Sequence, residues 1–108
     1  MRKNISRVLE AFKLGKPKSE PHLMTDGRTV FSYEMPIAAR LPDGRIAVVD
    51  RGFSPSATTS AHIRPFEDAH PDRVKCSGIR LSGNAVELRG VGEDGALVIG
   101  KGAKWGAP

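Results

Sequence analysis

Residues 25–63 read T-D-G-R-T-V-F-S-Y-E-M-P-I-A-A-R-L-P-D-G-R-I-A-V-V-D-R-G-F-S-P-S-A-T-T-S-A-H-I. Over residues 29–41, apolar side chains recur at every second position, which is the period of a half-buried strand. The P-D-G sequence at 42–44 is typical of a tight turn, since proline presets φ and glycine accepts a positive φ. Residues 46–49 then return as a second strand. The stretch 25–50 therefore predicts a β-hairpin.

Two features of the first strand qualify this prediction. Pro36 has no N–H to donate to a ladder, so it marks a bulge, an edge or a break between two short strands. Phe31 and Tyr33 fall on the apolar side of the alternation, which predicts that they are core residues. The alternative is that these rings stack on nucleic-acid bases from an exposed sheet face.

A hydroxyl-rich segment follows the hairpin and favours a short helical segment over 58–70. We expect Thr58, Thr59 or Ser60 to cap this helix. Pro65 limits it to about one turn or starts a second helix at its first position. Beyond it, residues 79–99 predict a second meander, with turns at Gly83-Asn84 and Asp94-Gly95, and the glycine-rich residues 100–108 form a tail.

Upstream of the hairpin, residues 1–14 predict an amphipathic helix. Its apolar stripe has the spacing i, i+3, i+4, i+7 and consists of Ile5, Val8, Leu9 and Phe12. Gly15 stands where a helix C-terminal cap belongs. Residues 15–22 contain two prolines and three charged side chains, which predicts a linker without regular structure.

Size and composition bound the fold class. The chain has 108 residues, which fits one small domain, and its 12 glycines and 8 prolines favour turns and short strands. We therefore predict an α+β fold: an N-terminal amphipathic helix packed on a small antiparallel β-meander, with one or two short helices mid-chain. Cys76 is the single cysteine, which excludes an internal disulfide and favours a reduced cytoplasm. We expect neither a signal peptide nor a membrane span, because no long apolar run exists.

The positive charge is concentrated near the N-terminus. The net charge is +5, and residues 1–24 contribute most of it because their six basic residues face only two glutamates. Such an excess favours an anionic partner, although it also serves solubility. The candidate nucleic-acid-binding residues are Arg2, Lys3, Arg7, Lys13, Lys16 and Lys18.

Residues 25–63 also resemble a family of small proteins encoded by phages and other mobile elements. The resemblance rests on T-D-G-R-T-V-F-S-Y at 25–33, I-A at 37–38, I-A-V-V-D at 46–50 and T-T-S-A-H-I at 58–63. It implies a mobile-element origin and a β-hairpin-plus-helix module. It implies no catalytic residue.

The spacing of the cysteine and histidine residues gives little support for catalysis or metal binding. Cys76 with His62 or His70 is the one nucleophile–base combination, and no local motif supplies an orienting group or an oxyanion hole. The same three side chains are the candidate metal ligands, but their gaps of eight and six residues match no known ligand pattern. We therefore predict no enzyme, no metal and no cofactor.

Three hypotheses for the function remain open. The first is a non-enzymatic accessory protein of phage or mobile-element type that contacts nucleic acid or nucleic-acid-handling machinery in the host cytoplasm. The second is an inhibitor of a host defence complex, in the manner of anti-CRISPR proteins, acting through protein–protein contact. The third is a Cys/His hydrolase.

Overall fold

In the part of the chain that the structure describes, one helix precedes five strands, and two further helical segments precede four more strands. Within residues 3–53, 56–82, 85–91 and 96–99, which a computed structural model describes, the chain forms two α-helices, one 3₁₀ helix and nine strands. The helices are α1 (Lys3–Lys13), the 3₁₀ helix (Arg51–Phe53) and α2 (Ala57–Ala69). The strands are β1 (Lys18–Glu20), β2 (Leu23–Thr25), β3 (Thr29–Ser32), β4 (Met35–Arg40), β5 (Ile46–Val49), β6 (Val74–Cys76), β7 (Gly78–Ser82), β8 (Ala85–Arg89) and β9 (Ala96–Ile99).

The strands form two sheets. The larger has the order β1-β2-β3-β4-β5-β6, and the smaller has the order β7-β8-β9. Every pairing is antiparallel except that of β5 with β6, which is parallel. A parallel pair needs a crossover, and α2 supplies it. The predicted α+β fold, with an N-terminal helix on a largely antiparallel meander, is confirmed.

The core surrounds the middle of the larger sheet. In β4 the consecutive residues Ile37, Ala38 and Ala39 are all fully buried, so both faces of this strand are covered. Helix α1 contacts β1, β2 and β3, helix α2 contacts β4 and β5, and β7 packs against β4. Ile79, Val86 and Leu88 of the smaller sheet extend the same apolar core.

Helix α1 buries the predicted stripe. Ile5, Val8, Leu9 and Phe12 are at most 7% exposed. The Phe12 ring meets the Phe66 ring edge to face, with 5.9 Å between centroids, and this contact joins α1 to α2. The amphipathic pattern therefore predicted both the element and its buried side.

Helix α2 corrects two predictions. Its cap is Ser56, whose Oγ accepts a hydrogen bond from the Thr59 N–H at 3.1 Å, rather than Thr58, Thr59 or Ser60. The helix also continues through Pro65. An interior proline costs a helix about 3 kcal/mol. Ile63 and Phe66, on either side of Pro65, are fully buried, and this packing offsets the cost.

The predicted linker and hairpin were also too simple. Residues 15–22 contain β1, because three residues between Pro17 and Pro21 suffice for an edge strand that pairs with β2. Residues 25–50 hold three strands, β3 to β5, after the end of β2. The extra turn falls at Tyr33 and Glu34, just before Pro36. The turn at 42–44 is confirmed, and Gly44 has φ 93°.

The core assignment of Phe31 and Tyr33 was wrong. Phe31 is half-buried and Tyr33 is 49% exposed. A register shift between β3 and β4 places Pro36 rather than Ile37 opposite Phe31, so the alternation of β4 does not carry over to β3, in which Val30 and Ser32 are the buried side chains. The predicted turns at 83–84 and 94–95 and the tail at 100–108 lie outside the described residues.

Candidate functional site

The C-terminal end of α1 meets the turn between β2 and β3. A Cβ placed on Gly27 would lie 2.5 Å from the Gly15 carbonyl oxygen, so the two backbones are in direct contact. Only glycine permits this approach, and its φ of 99° is also one that glycine adopts readily. The T-D-G-R sequence thus places its turn against the end of the helix.

Arg40 fastens this junction from β4. Its guanidinium donates one hydrogen bond to the Gly27 carbonyl at 2.6 Å and another to the Phe12 carbonyl at 2.7 Å. The same group lies over the Phe12 ring, 4.9 Å from its centroid. A cation at a helix C-terminus also interacts favourably with the helix dipole. Arg40 therefore has a structural role.

Four exposed basic residues surround the junction, and we call them the basic patch. They are Lys13, Lys16, Lys18 and Arg28. Lys13 ends α1, and Lys16 follows the Gly15 that touches the turn. Lys18 pairs with Thr25 at the end of β2, beside the turn that carries Arg28. The fold thus gathers charges that are up to 15 positions apart in the sequence.

One acidic residue also lies at the patch. The Asp26 Oδ1 accepts hydrogen bonds from the backbone N–H groups of Arg28 and Thr29, both at 2.8 Å. The carboxylate therefore shapes the turn and lowers the charge of the region by one. Taken together, the patch and Asp26 retain a formal excess of three positive charges.

The remaining predicted residues lie elsewhere. Lys3 is at the opposite end of α1, about 15 Å from Lys13 at 1.5 Å per residue. Arg7 pairs with Glu20 across to β1, with 3.3 Å between Nη1 and Oε1. Arg2 lies outside the described residues. The structure therefore brings together three of the six predicted residues.

Sequence reasoning missed Arg28 and Arg40. Both lie outside the basic N-terminal segment, residues 1–24. The available signal was the T-D-G-R turn, because a glycine flanked by polar residues in a turn can receive a close backbone neighbour. The sequence pattern does not predict that this neighbour is the end of α1.

A second polar region joins β3 to α2. The Ser32 Oγ lies 2.6 Å from His62 Nδ1 and 3.4 Å from the Thr59 hydroxyl, which lies 3.1 Å from the Ser56 hydroxyl. Ser32, Thr59 and His62 are buried, at 0%, 3% and 3% exposure. Two of the resembling motifs, 25–33 and 58–63, meet at this contact. Because the Ser32 hydroxyl is shut off from solvent, the pair stabilises the fold rather than presenting a nucleophile.

Aromatic rings continue outward from His62. Tyr33 lies 6.2 Å from His62 and 4.7 Å from His22, centroid to centroid, with interplanar angles of 29° and 24°. His22 and Tyr33 both have positive φ, 65° and 57°, although neither is glycine. Such conformations cost about 1–3 kcal/mol each and cluster at functional sites. The three rings form what we call the ring column.

The groups proposed for a Cys/His enzyme are engaged separately. Burial raises the pKa of the Cys76 thiol from 9.0 to about 11, against an opposing backbone hydrogen bond from Gly78, and nearby Asp50 raises it further. The thiol therefore stays protonated at neutral pH, which disfavours nucleophilic attack. His62 contacts Ser32, and His70 Nδ1 lies 2.9 Å from the Phe66 carbonyl oxygen.

No group of three or more His, Cys, Asp or Glu side chains in the described ranges is arranged to hold a metal ion. None of the helices in those ranges has the length and apolar character needed to cross a bilayer. The absence of an enzymatic activity and of a cofactor stays a prediction.

Comparison with known proteins bears on the family. Curated proteins gave no match, and solved structures gave none either. A phage or mobile-element origin stays a prediction. Residues 6–82, which run from α1 to the end of β7 and include both the basic patch and the ring column, match the family of unknown function DUF8033, and the chain belongs to that family.

Proposed function

We propose that the protein is a non-enzymatic accessory binding protein that contacts the phosphates of nucleic acid through the basic patch. The observation that carries the proposal is the contact between Gly27 and the Gly15 carbonyl, which brings Arg28 to the lysines around the end of α1. From the resemblance of residues 25–63, we infer that the protein comes from a phage or other mobile element and acts in the host cytoplasm.

Charge geometry supports phosphate as the ligand. The three lysines of the patch are exposed, so their ammonium groups are hydrated and reach outward as point charges. Each phosphate contact releases condensed counterions, which is the main source of sequence-independent affinity. Contacts of this kind position a protein on nucleic acid without reading its bases. We therefore expect binding with little sequence preference.

The experiment compares two double charge reversals by fluorescence anisotropy on a labelled duplex of about 20 base pairs at low salt. Lys16→Glu with Lys18→Glu alters the patch. Lys75→Glu with Arg80→Glu makes the same change in net charge at exposed positions of β6 and β7. The proposal expects a large loss of affinity for the first variant and a much smaller loss for the second.

Equal losses in the two variants would show that only the net charge matters, and the patch would not be a site. Absence of binding by the unaltered protein would reject the proposal altogether.

One observation favours the second candidate function, a protein inhibitor of a host complex. Leu14 is 60% exposed immediately after α1, among the charges of the patch. An apolar anchor within a polar rim is typical of protein interfaces. In that case Leu14→Asp would abolish capture of the partner, and raised salt would weaken the complex only modestly.

A further inference from the structure

The ring column runs from the interior to the surface. His62 is 3% exposed, Tyr33 is 49% exposed and His22 is exposed. The ring planes of Tyr33 and His22 are within 24° of parallel, so the His22 ring stacks on the Tyr33 ring as well. The column therefore ends in an aromatic ring at the surface.

The backbone holds these rings in place at a cost. Tyr33 donates its N–H to the His22 carbonyl at 2.8 Å, which links the β3–β4 turn to the β1–β2 turn. Both residues have positive φ, where glycine would be unstrained. A fold that needed only these two turns would be served better by glycine. The strained conformations therefore indicate that the His22 and Tyr33 side chains themselves are needed.

The column and the basic patch lie at opposite ends of the same strands. The β1–β2 and β3–β4 turns are at one end of β2 and β3, and the β2–β3 turn with Arg28 is at the other. Tyr33 lies five positions after Arg28. Five steps along an extended strand cover about 16 Å at about 3.3 Å per residue. That distance equals roughly five nucleotides of a stacked strand at about 3.4 Å each.

The face of β2 and β3 opposite the Ser32–His62 contact also carries partly exposed apolar side chains. Met24 pairs with Phe31, and Phe31 pairs with Pro36. Met24 is 39% exposed, on the side opposite the buried Leu23 and Thr25. Positive charge combined with aromatic and apolar surface is the usual composition of sites for single-stranded nucleic acid.

We propose that the preferred partner is single-stranded nucleic acid, with a base stacked on the ring column at His22 and with phosphates held by the basic patch. This inference rests on the proposed function and deepens it, because a duplex keeps its bases inside and offers none to an aromatic ring. The rings accept any base, since every base has a π-face.

The test uses variants that remove a ring without straining the backbone. Tyr33→Gly and His22→Gly suit the positive φ at both positions, and Tyr33→Phe keeps the ring as the matched control. Affinity is measured by anisotropy for an oligothymidylate of about 12 nucleotides and for a duplex of the same length. Thermal melting of each variant checks that the fold is retained.

The expected result is a loss of about tenfold in oligothymidylate affinity for both glycine variants, with Tyr33→Phe near the unaltered protein and duplex affinity unchanged. If the glycine variants bind oligothymidylate as before while Lys16→Glu with Lys18→Glu weakens binding, the ring column is not a base site and the proposed function stands. If the unaltered protein binds neither strand form, both proposals fail. An equal loss for single strand and duplex would also overturn the single-strand inference.

Discussion

The Ser32 Oγ lies 2.6 Å from His62 Nδ1 and thereby connects the end of β3 to the middle of α2. The two residues are 30 positions apart, and both are buried. The Tyr33 ring stacks on the His62 ring, on the side of this contact that faces away from the core. The hydrogen bond thus fixes the inner end of the ring column against the helix.

Ser32→Ala tests the contribution of this hydrogen bond to stability. Removing the hydroxyl takes a partner from a buried imidazole nitrogen, and we expect the free energy of unfolding to fall by about 1–3 kcal/mol. Ser19→Ala on the exposed edge strand β1 is the control and should change it little. Urea denaturation followed by circular dichroism measures both. Matching midpoints for the two variants would mean that the contact contributes nothing.

Gly27→Ala against Gly44→Ala isolates the contact between the turn and α1. Both glycines have a similar positive φ, 99° and 93°. A new Cβ at Gly27 meets the Gly15 backbone, whereas the one at Gly44 meets nothing within 4 Å. We therefore expect Gly44→Ala to cost about 1 kcal/mol and Gly27→Ala clearly more, because only the latter adds a steric clash. If both variants lower the melting temperature equally, the close approach of Gly27 to Gly15 does not contribute to stability.

Ile5→Asp tests the docking of α1. Ile5 is 5% exposed, so a carboxylate there would be buried without a partner, and we expect a loss of more than about 2 kcal/mol. The neighbouring Ser6 is exposed in the first turns of the helix, where a negative charge suits the dipole. Ser6→Asp should therefore leave the urea midpoint unchanged or slightly raised. If Ser6→Asp lowered the urea midpoint and Ile5→Asp did not, the assignment of the buried face of α1 would be wrong.

Cys76 makes the free energy of unfolding depend on pH in the alkaline range. Burial raises the pKa of its thiol to about 11 in the folded chain, from an ordinary value of 9.0. Between these values the unfolded chain releases the proton while the folded chain keeps it, so stability is complete below about pH 9 and falls as pH rises toward about 11. The fall should reach on the order of 2 kcal/mol.

Cys76→Ala serves as the control for that dependence, since other groups also titrate in this range. Denaturation midpoints measured at about pH 8 and about pH 10.5 should differ more for the unaltered protein than for the variant. An identical difference in both proteins would show that the thiol is not protected by burial.

Local patterns predicted much of the fold. The stripe of α1 and the turn at 42–44 depend on residues close in sequence, so period and turn chemistry sufficed. Pro65 misled the prediction of α2 because local propensity does not register the burial of Ile63 and Phe66 beside it. The core prediction for Phe31 and Tyr33 was wrong because the register shift between β3 and β4 breaks the single alternation that the sequence suggests over 29–41.

The candidate site was harder to predict than the fold. Lys13, Lys16 and Lys18 were visible as a local charge excess, but Arg28 joins them only through the contact between Gly27 and Gly15. The local charge excess also includes Arg7, whose pairing with Glu20 depends on where β1 lies. The ring column depends on two backbone conformations that non-glycine residues rarely adopt, and no sequence pattern announces them.

The salt dependence of binding tests the central claim, that the basic patch holds phosphates, most directly. The association constant of the unaltered protein for a labelled oligonucleotide is measured from about 50 to about 200 mM salt, beside Lys16→Glu with Lys18→Glu and the control Lys75→Glu with Arg80→Glu. The logarithm of the constant should fall steeply with the logarithm of salt, and the patch variant should lose about two units of slope while the control keeps its slope. A slope that is the same in all three proteins, or no measurable affinity at low salt, would contradict the claim.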